Sequence, residues 1–200
     1  MRTAVLVSGR GSNLQALVKE WKNGRLPVEI VAVGSDQEDA PALEFAQNEG
    51  IPVGVFPLAG YPDRASQEEE LLSWLKAYRI ELLLLAGYMK ILSSNFIDKA
   101  KIPILNIHPS LLPAFPGMHA QRQALEYGVK YSGCTVHFVD KGLDSGPIIL
   151  QETVPVLDDD TEDSLAQRIL KEEHRIYPLA VKLVAGNKLE IRGHRVFIKR

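Results

Sequence analysis

Two polar residues interrupt an apolar run near the middle of the chain. In Ile102-Pro103-Ile104-Leu105-Asn106-Ile107-His108-Pro109, the amide of Asn106 and the imidazole of His108 stand two residues apart. A strand carries such a pair on one face, and Pro109 stops the strand, so both fall at its carboxyl end. Polar groups on an apolar strand are costly unless they are bonded or used. An amide donor beside an imidazole suits a reaction that builds negative charge on an oxygen and moves a proton. Singly, each residue also reads as ordinary structure: His108 bonded to a carbonyl, Asn106 tying down a loop. A third group, Asp144, lies in the distant turn Gly142-Leu143-Asp144-Ser145-Gly146-Pro147. Aspartate is common in turns for purely local bonding. Its carboxylate gains chemical meaning if the turn folds over His108 and orients the ring.

The segment Ser8-Gly9-Arg10-Gly11-Ser12-Asn13 is the second candidate. Its glycines allow close backbone approach, and the free amides of a helix start favour an anion. Position 14 is Leu where a dinucleotide fingerprint has its third glycine, and no acidic residue stands out about twenty residues on. The Gly-Lys-Ser/Thr of a Walker loop is missing as well. A single phosphate therefore fits better than NAD or ATP. A plain glycine turn with a Ser or Asn helix cap is the alternative.

These groups need a scaffold, and the pattern supplies one. Apolar, β-branched runs at Ala4-Val7, Val28-Val33, Val53-Phe56, Leu82-Leu85 and Ile102-Ile107 read as strands covered on both faces. Helical spacing links Leu14, Leu17, Val18 and Trp21, and again Leu71, Trp74, Leu75 and Tyr78. Asp39 reads as a cap ahead of Pro41, with Gly50 past that helix's end. Ser132-Asp140 and Pro147-Val156 suggest a hairpin around a Gly-rich turn. Asp160-Thr161 opens a long helix bearing Leu165, Ile169, Ile176, Ala180 and Leu183. Leu189-Ile191 and Arg195-Ile198 form a short final hairpin. The fold class expected is α/β: a Rossmann-like, mostly parallel open sheet with helices on both faces, mixed by antiparallel strands in the C-terminal half. Residues 1–200 are expected to form a single domain, with a phosphate-binding half over 1–100 and a catalytic half over 101–200.

Composition narrows the partners. The 200 residues are 46% hydrophobic and 24% charged, with a net charge of -2. That balance offers no broad cationic field for nucleic acid or an anionic membrane. Cys134 is the only cysteine, which excludes an internal disulfide, and the strand-like run from Thr3 to Ser8 leaves no room for a signal peptide. A cytoplasmic protein acting on small molecules, as a monomer or homodimer, is expected. No histidine pair has metal-ligand spacing, so no metal is expected.

The motifs also carry a resemblance. Asn106-Ile107-His108-Pro109-Ser110-Leu111-Leu112-Pro113-Ala114-Phe115-Pro116-Gly117 resembles the signature of the folate-dependent formyltransferases. Thr135-Val136-His137-Phe138-Val139-Asp140, followed by Asp144-Ser145-Gly146-Pro147-Ile148-Ile149-Leu150-Gln151, is similar to that family's second block. The opening Ser8–Asn13 loop resembles the branch that formylates phosphoribosylglycinamide in purine synthesis. The resemblance implies a 10-formyltetrahydrofolate donor. It implies Asn106, His108 and Asp144 as the catalytic groups and Gly11, Ser12 and Asn13 as the acceptor-phosphate loop. It assigns the pterin-binding segment to Met89, Lys90, Ile91 and Leu92, with Asn106 also touching folate. Arg64 matches a position near the folate tail and Glu173 one near the acceptor. Lys90, Gln121 and Met118 depart from the residues common at those positions in the family.

The chemistry implied is direct attack of an amine on the formyl carbon. Asn106 and His108 would donate to the tetrahedral oxyanion, and Asp144 would relay a proton through water. Ser110 and Cys134 show no activating base, so a covalent intermediate is not expected. Two alternatives remain: a formyltetrahydrofolate hydrolase, and a nucleotide-binding sensor without catalysis.

Overall fold

The computed structural model describes residues 1–199. The chain divides into two compact units, Met1–Leu105 and Asn106–Arg200. The first contains β1 (Arg2–Val7), α1 (Ser12–Lys22), β2 (Glu29–Ser35), α2 (Pro41–Asn48), β3 (Val53–Val55), α3 (Arg64–Ala77), β4 (Leu82–Leu85) and α4 (Ser94–Ala100). β5 (Ile104–His108) begins in this unit. β1 lies between β2 and β4, β3 lies outside β2, and every one of these pairings is parallel. The cause is visible in the sequence. Ala4, Val5, Leu6 and Val7, like Leu82, Leu83 and Leu84, are shielded from solvent along their whole length, as parallel strands between helices must be. Leu14, Leu17 and Val18 form the buried side of α1, while Trp74 of α3 stacks edgewise on Phe56 with ring centres 5.3 Å apart.

The second unit contains α5 (Ala120–Tyr127), β6 (Tyr131–Phe138), β7 (Ile148–Pro155), α6 (Glu162–Ala185), β8 (Leu189–Arg192) and β9 (Arg195–Ile198). β6 and β7 form the antiparallel hairpin, in register from Tyr131 opposite Pro155 to His137 opposite Ile148. The register shifts between Val136 and His137. The extra residue is Ile149, a bulge on the β7 side of the ladder. β9 joins β7 in parallel through the single pair Ile148 and Arg195, and β8 pairs antiparallel with β9. The fold is thus α/β, parallel in its first unit and mixed in its second. α6 packs on β6 and β7 through Leu165, Ile169, Ile176, Tyr177, Ala180 and Val181.

Several local expectations change. Asp39 does not cap α2: the cap position is Ala40, without a side-chain bond, and the helix starts directly on Pro41. A proline at the first position needs no amide partner, so the cap is dispensable there. α4 and α5 carried no clear periodic signal, being seven and eight residues long. The His194 ring is exposed, whereas the His174 ring is partly buried, with an unpartnered Nε2 and a pKa lowered by burial.

The start of α6 is fixed by a charged clamp. Thr161 caps the helix and forms a reciprocal capping box with Ser164. Asp160 receives both guanidinium ends of Arg168, at 2.6 and 2.8 Å, together with the Ser164 hydroxyl and the Leu157 amide. The Arg168 bonds are the main cause of an Asp160 carboxyl held far below its ordinary value of 3.8. A depressed folded-state pKa gives stability that is present above the unfolded value and lost as pH falls through the folded one. Asp160→Asn is therefore expected to lower Tm by roughly 4–8 °C at pH 7. That deficit begins to shrink below about pH 4, where the carboxylate of the unfolded chain takes up its proton while the folded one stays charged, and thermal unfolding from pH 7 downward measures it.

Candidate active site

Asn106, His108 and Asp144 all belong to the second unit, and there they meet. β5 ends on His108, and both polar side chains project from its final turn of alternation. The turn after β6 brings back the carboxylate. Asp144 adopts a left-handed backbone, φ 48°. Its Oδ2 accepts from the Gly117 amide at 2.8 Å and lies 3.4 Å from His108 Nδ1. Its Oδ1 lies 3.5 Å from Asn106 Nδ2 and 3.8 Å from His137 Nε2. The local turn bonding that an aspartate commonly provides falls instead to Asp140, which accepts from the Gly142 amide and the Ser145 hydroxyl. Asp144 is thereby left to serve the polar cluster. At 12% exposure its side chain is shielded yet not sealed.

The tautomers follow from the partners. His137 Nδ1 donates to the Phe138 carbonyl at 2.9 Å. Burial lowers the His137 pKa, outweighing that backbone bond and the nearby Asp144 carboxylate. A neutral ring with its proton on Nδ1 presents Nε2 as an acceptor, and Asn106 Nδ2 donates to it at 3.3 Å. His137 thus decides which way the Asn106 amide faces. His108 Nε2 donates to the Phe115 carbonyl at 2.8 Å, so each of its ring nitrogens faces an oxygen.

Besides the Gly117 bond to Asp144, the 109–117 loop is held by neutral hydrogen bonds. Thr135 Oγ1 donates to the Ser110 carbonyl at 2.7 Å and accepts from the Leu112 amide. Gln151 donates to the Leu112 carbonyl and to Thr135, and Gln123 donates to the Met118 carbonyl. Ser110 is fully buried with its hydroxyl donating to the Ala114 carbonyl, and Cys134 is fully buried with a thiol pKa raised chiefly by burial. Neither has the exposure or ionisation of a nucleophile. Glu173 is also buried, on the inward side of α6.

The remaining candidates lie in the first unit. Gly11 precedes α1 in a left-handed conformation, φ 75°, and no side chain caps the helix. The alternative of a Ser or Asn cap therefore does not apply. Ser12 is half-buried and Asn13 buried. Met89, Lys90 and Ile91 are exposed, whereas Leu92 is buried. Arg64 opens α3, where its Nε donates to Glu68 at 3.0 Å and its guanidinium reaches the Ile91 carbonyl. Arg64 and the 89–92 segment are therefore neighbours.

Sequence reasoning gave His137 no site role and missed two further contributors. His137 touches Asn106 directly. The Gly117 amide could not be foreseen, because backbone donors leave no residue-type signal. Asp36 sits just after β2, which runs two residues beyond the apolar run ending at Val33, so an acid does stand where this fold class commonly has one. It is buried and accepts from the Ser8 hydroxyl and the Gln37 amide.

Residues 1–181 match the formyl transferase family model. A phosphoribosylglycinamide formyltransferase of Escherichia coli (strain K12) is 40% identical over 198 residues, covering 99% of this chain and 93% of that protein. A trifunctional purine biosynthetic protein adenosine-3 of Drosophila melanogaster is 47% identical over 187 residues, covering 92% of this chain but only 14% of that much longer protein. Among solved structures, glycinamide ribonucleotide transformylase 1 from Symbiobacterium toebii superposes with a TM-score of 0.98 at 50% identity, covering 100% of this chain and 94% of that one.

Proposed function

The chain belongs to the formyl transferase family, and from that premise we propose that it transfers a formyl group from 10-formyltetrahydrofolate to the amine of phosphoribosylglycinamide, a step of purine biosynthesis. It is a folate-dependent one-carbon transferase working as a single domain on small molecules. It acts in the cytoplasm as a monomer or homodimer, without metal, nucleic acid or membrane. The observation that carries this reading is the Asp144 carboxylate, gathered with Asn106, His108 and His137 in one shielded cluster.

The acceptor amine attacks the formyl carbon, a carbon–nitrogen bond forms, and negative charge collects on the formyl oxygen. Asn106 donates to that oxygen, and the His108 Nδ1–H, 3.4 Å from Asp144, turns to it as a second donor. The longer of the two Asn106 Nδ2 contacts, 3.5 Å to Asp144, is the one released for this purpose, while the His137 contact keeps the amide oriented. The proton lost by the attacking nitrogen passes by way of Asp144 and a water to the folate nitrogen, and the bond to that nitrogen then breaks. Gly11, Ser12 and Asn13 hold the acceptor phosphate through the uncapped start of α1. Glu173 serves the acceptor. Arg64, Met89, Lys90, Ile91 and Leu92 serve the folate, with Asn106 reaching it at the formyl group. Much of the remaining rate comes from holding amine and formyl carbon together.

Purified protein supplied with 10-formyltetrahydrofolate and phosphoribosylglycinamide is expected to give the formylated acceptor and tetrahydrofolate in equal amounts. Formate release with water as the acceptor, at the same rate with or without the amine, would identify a hydrolase instead.

A further inference from the structure

We propose that two buried carboxylates, Asp36 and Glu68, are positioning residues that hold the Met89–Leu92 segment from its two ends and so prepare it for folate. The proposal rests on the reading of that segment as the folate-binding strip.

The segment runs between β4 and α4 without regular structure, and three of its four side chains face solvent. Such a stretch is ordinarily mobile, and a ligand that binds it bears the cost of ordering it. Here both ends are tied. At the first end, the Met89 amide donates to Ser8 Oγ at 2.8 Å, and Ser8 Oγ in turn donates to Asp36. The second Asp36 oxygen accepts from Gln37 at 2.8 Å and lies 4.0 Å from Lys90 Nζ. At the other end, Glu68 accepts from the Ser93 amide at 2.9 Å and from the Ser93 hydroxyl. The same carboxylate accepts from Arg64 Nε, and Arg64 donates onward to the Ile91 carbonyl. Ser93 also caps α4 by accepting from the Phe96 amide, so this tie reaches into regular structure.

Neither carboxylate belongs to the hydrophobic core by chemistry. Asp36 is 4% exposed and Glu68 6%. A buried carboxylate is tolerated only when donors surround it, and here those donors come largely from the segment and its anchors. The neighbouring Tyr88 phenol is held protonated by burial first and then by the Asp36 and Glu68 charges. The arrangement is a strap with an exposed apolar outer surface, Met89 and Ile91, of the kind a flat heterocycle covers.

The test is a split between the two substrates. Asp36→Ala and Glu68→Ala are each expected to raise KM for 10-formyltetrahydrofolate about tenfold while KM for phosphoribosylglycinamide stays within about twofold. Asp36→Asn and Glu68→Gln keep an acceptor oxygen and are expected to recover most of the loss. Ser8→Ala, which removes only the hydroxyl between Asp36 and the Met89 amide, reproduces the Asp36 effect should an alanine variant fail to fold. Ile91→Ala probes the strip itself. A raised folate KM in Ile91→Ala with unchanged values in the Asp36, Glu68 and Ser8 variants overturns the strap alone. Unchanged folate KM in all of them overturns the assignment of the strip as well. An equal rise in both KM values also overturns the proposal, because a general loosening of the fold would produce it.

Discussion

Asp144→Asn and His108→Ala each lower kcat by about 10²–10³ while the folded protein remains, as judged by an unchanged circular dichroism spectrum and cooperative melting. The expectation follows from what each variant leaves behind. Asparagine at 144 retains an oxygen for the Gly117 amide, so the turn stays in place. It loses the negative charge beside His108 and the capacity to carry the proton between nitrogens. Alanine at 108 removes a donor to the developing oxyanion and frees the Phe115 carbonyl, whose loop is still held by Thr135 and Gln151. Steady-state assays at saturating substrates measure both. A variant of either kind with near-normal turnover would end the assignment of this cluster as the reacting centre. The two losses should also fall short of additive in the double variant, because both act on one proton path.

Gly11→Ala is the second large effect. The residue sits at φ 75°, where a side chain is strained, and a Cβ there would approach Ala42 Cβ to 2.5 Å. Relief requires either the start of α1 or the start of α2 to move, and the first of these displaces the amides proposed to face the phosphate. The acceptor KM is expected to rise by roughly 30–100-fold, with the folate KM far less affected. For the wild-type chain, binding of the phosphorylated acceptor should weaken with added salt, whereas the dephosphorylated acceptor should bind poorly at any salt concentration. Equal affinity for the two acceptors would rule out a phosphate role for this loop.

The parallel strands were legible because their burial on both faces forces continuous apolar runs, and Leu82–Leu85 appears in the structure with those bounds. α6 was legible for its long one-sided pattern and its Thr161 cap. α4 and α5 were not, since two turns of helix hold too few periods to stand out, and α5 starts from His119 in a left-handed conformation that no residue type announces. In the cluster, the side chains with unusual chemistry for their surroundings could be picked out. The part played by Asp144 depended on a turn whose closure no spacing rule predicts. His137 was passed over because a histidine on a strand is more often structural, and its partner Asn106 lies 31 residues away. Asp36 escaped because its strand ends in the small residues Gly34 and Ser35, which read as a loop.

The last hairpin enters the sheet of its unit at one rung, Ile148 with Arg195, and Ile148 also closes the ladder with His137. That isoleucine stands four positions after Asp144 in the chain. A tug on this hairpin reaches β7 at that rung, which adjoins the turn carrying the carboxylate. A tag or fused neighbour placed beyond β9 pulls on the same rung, so the choice of linker is a choice about how quiet the reacting turn remains.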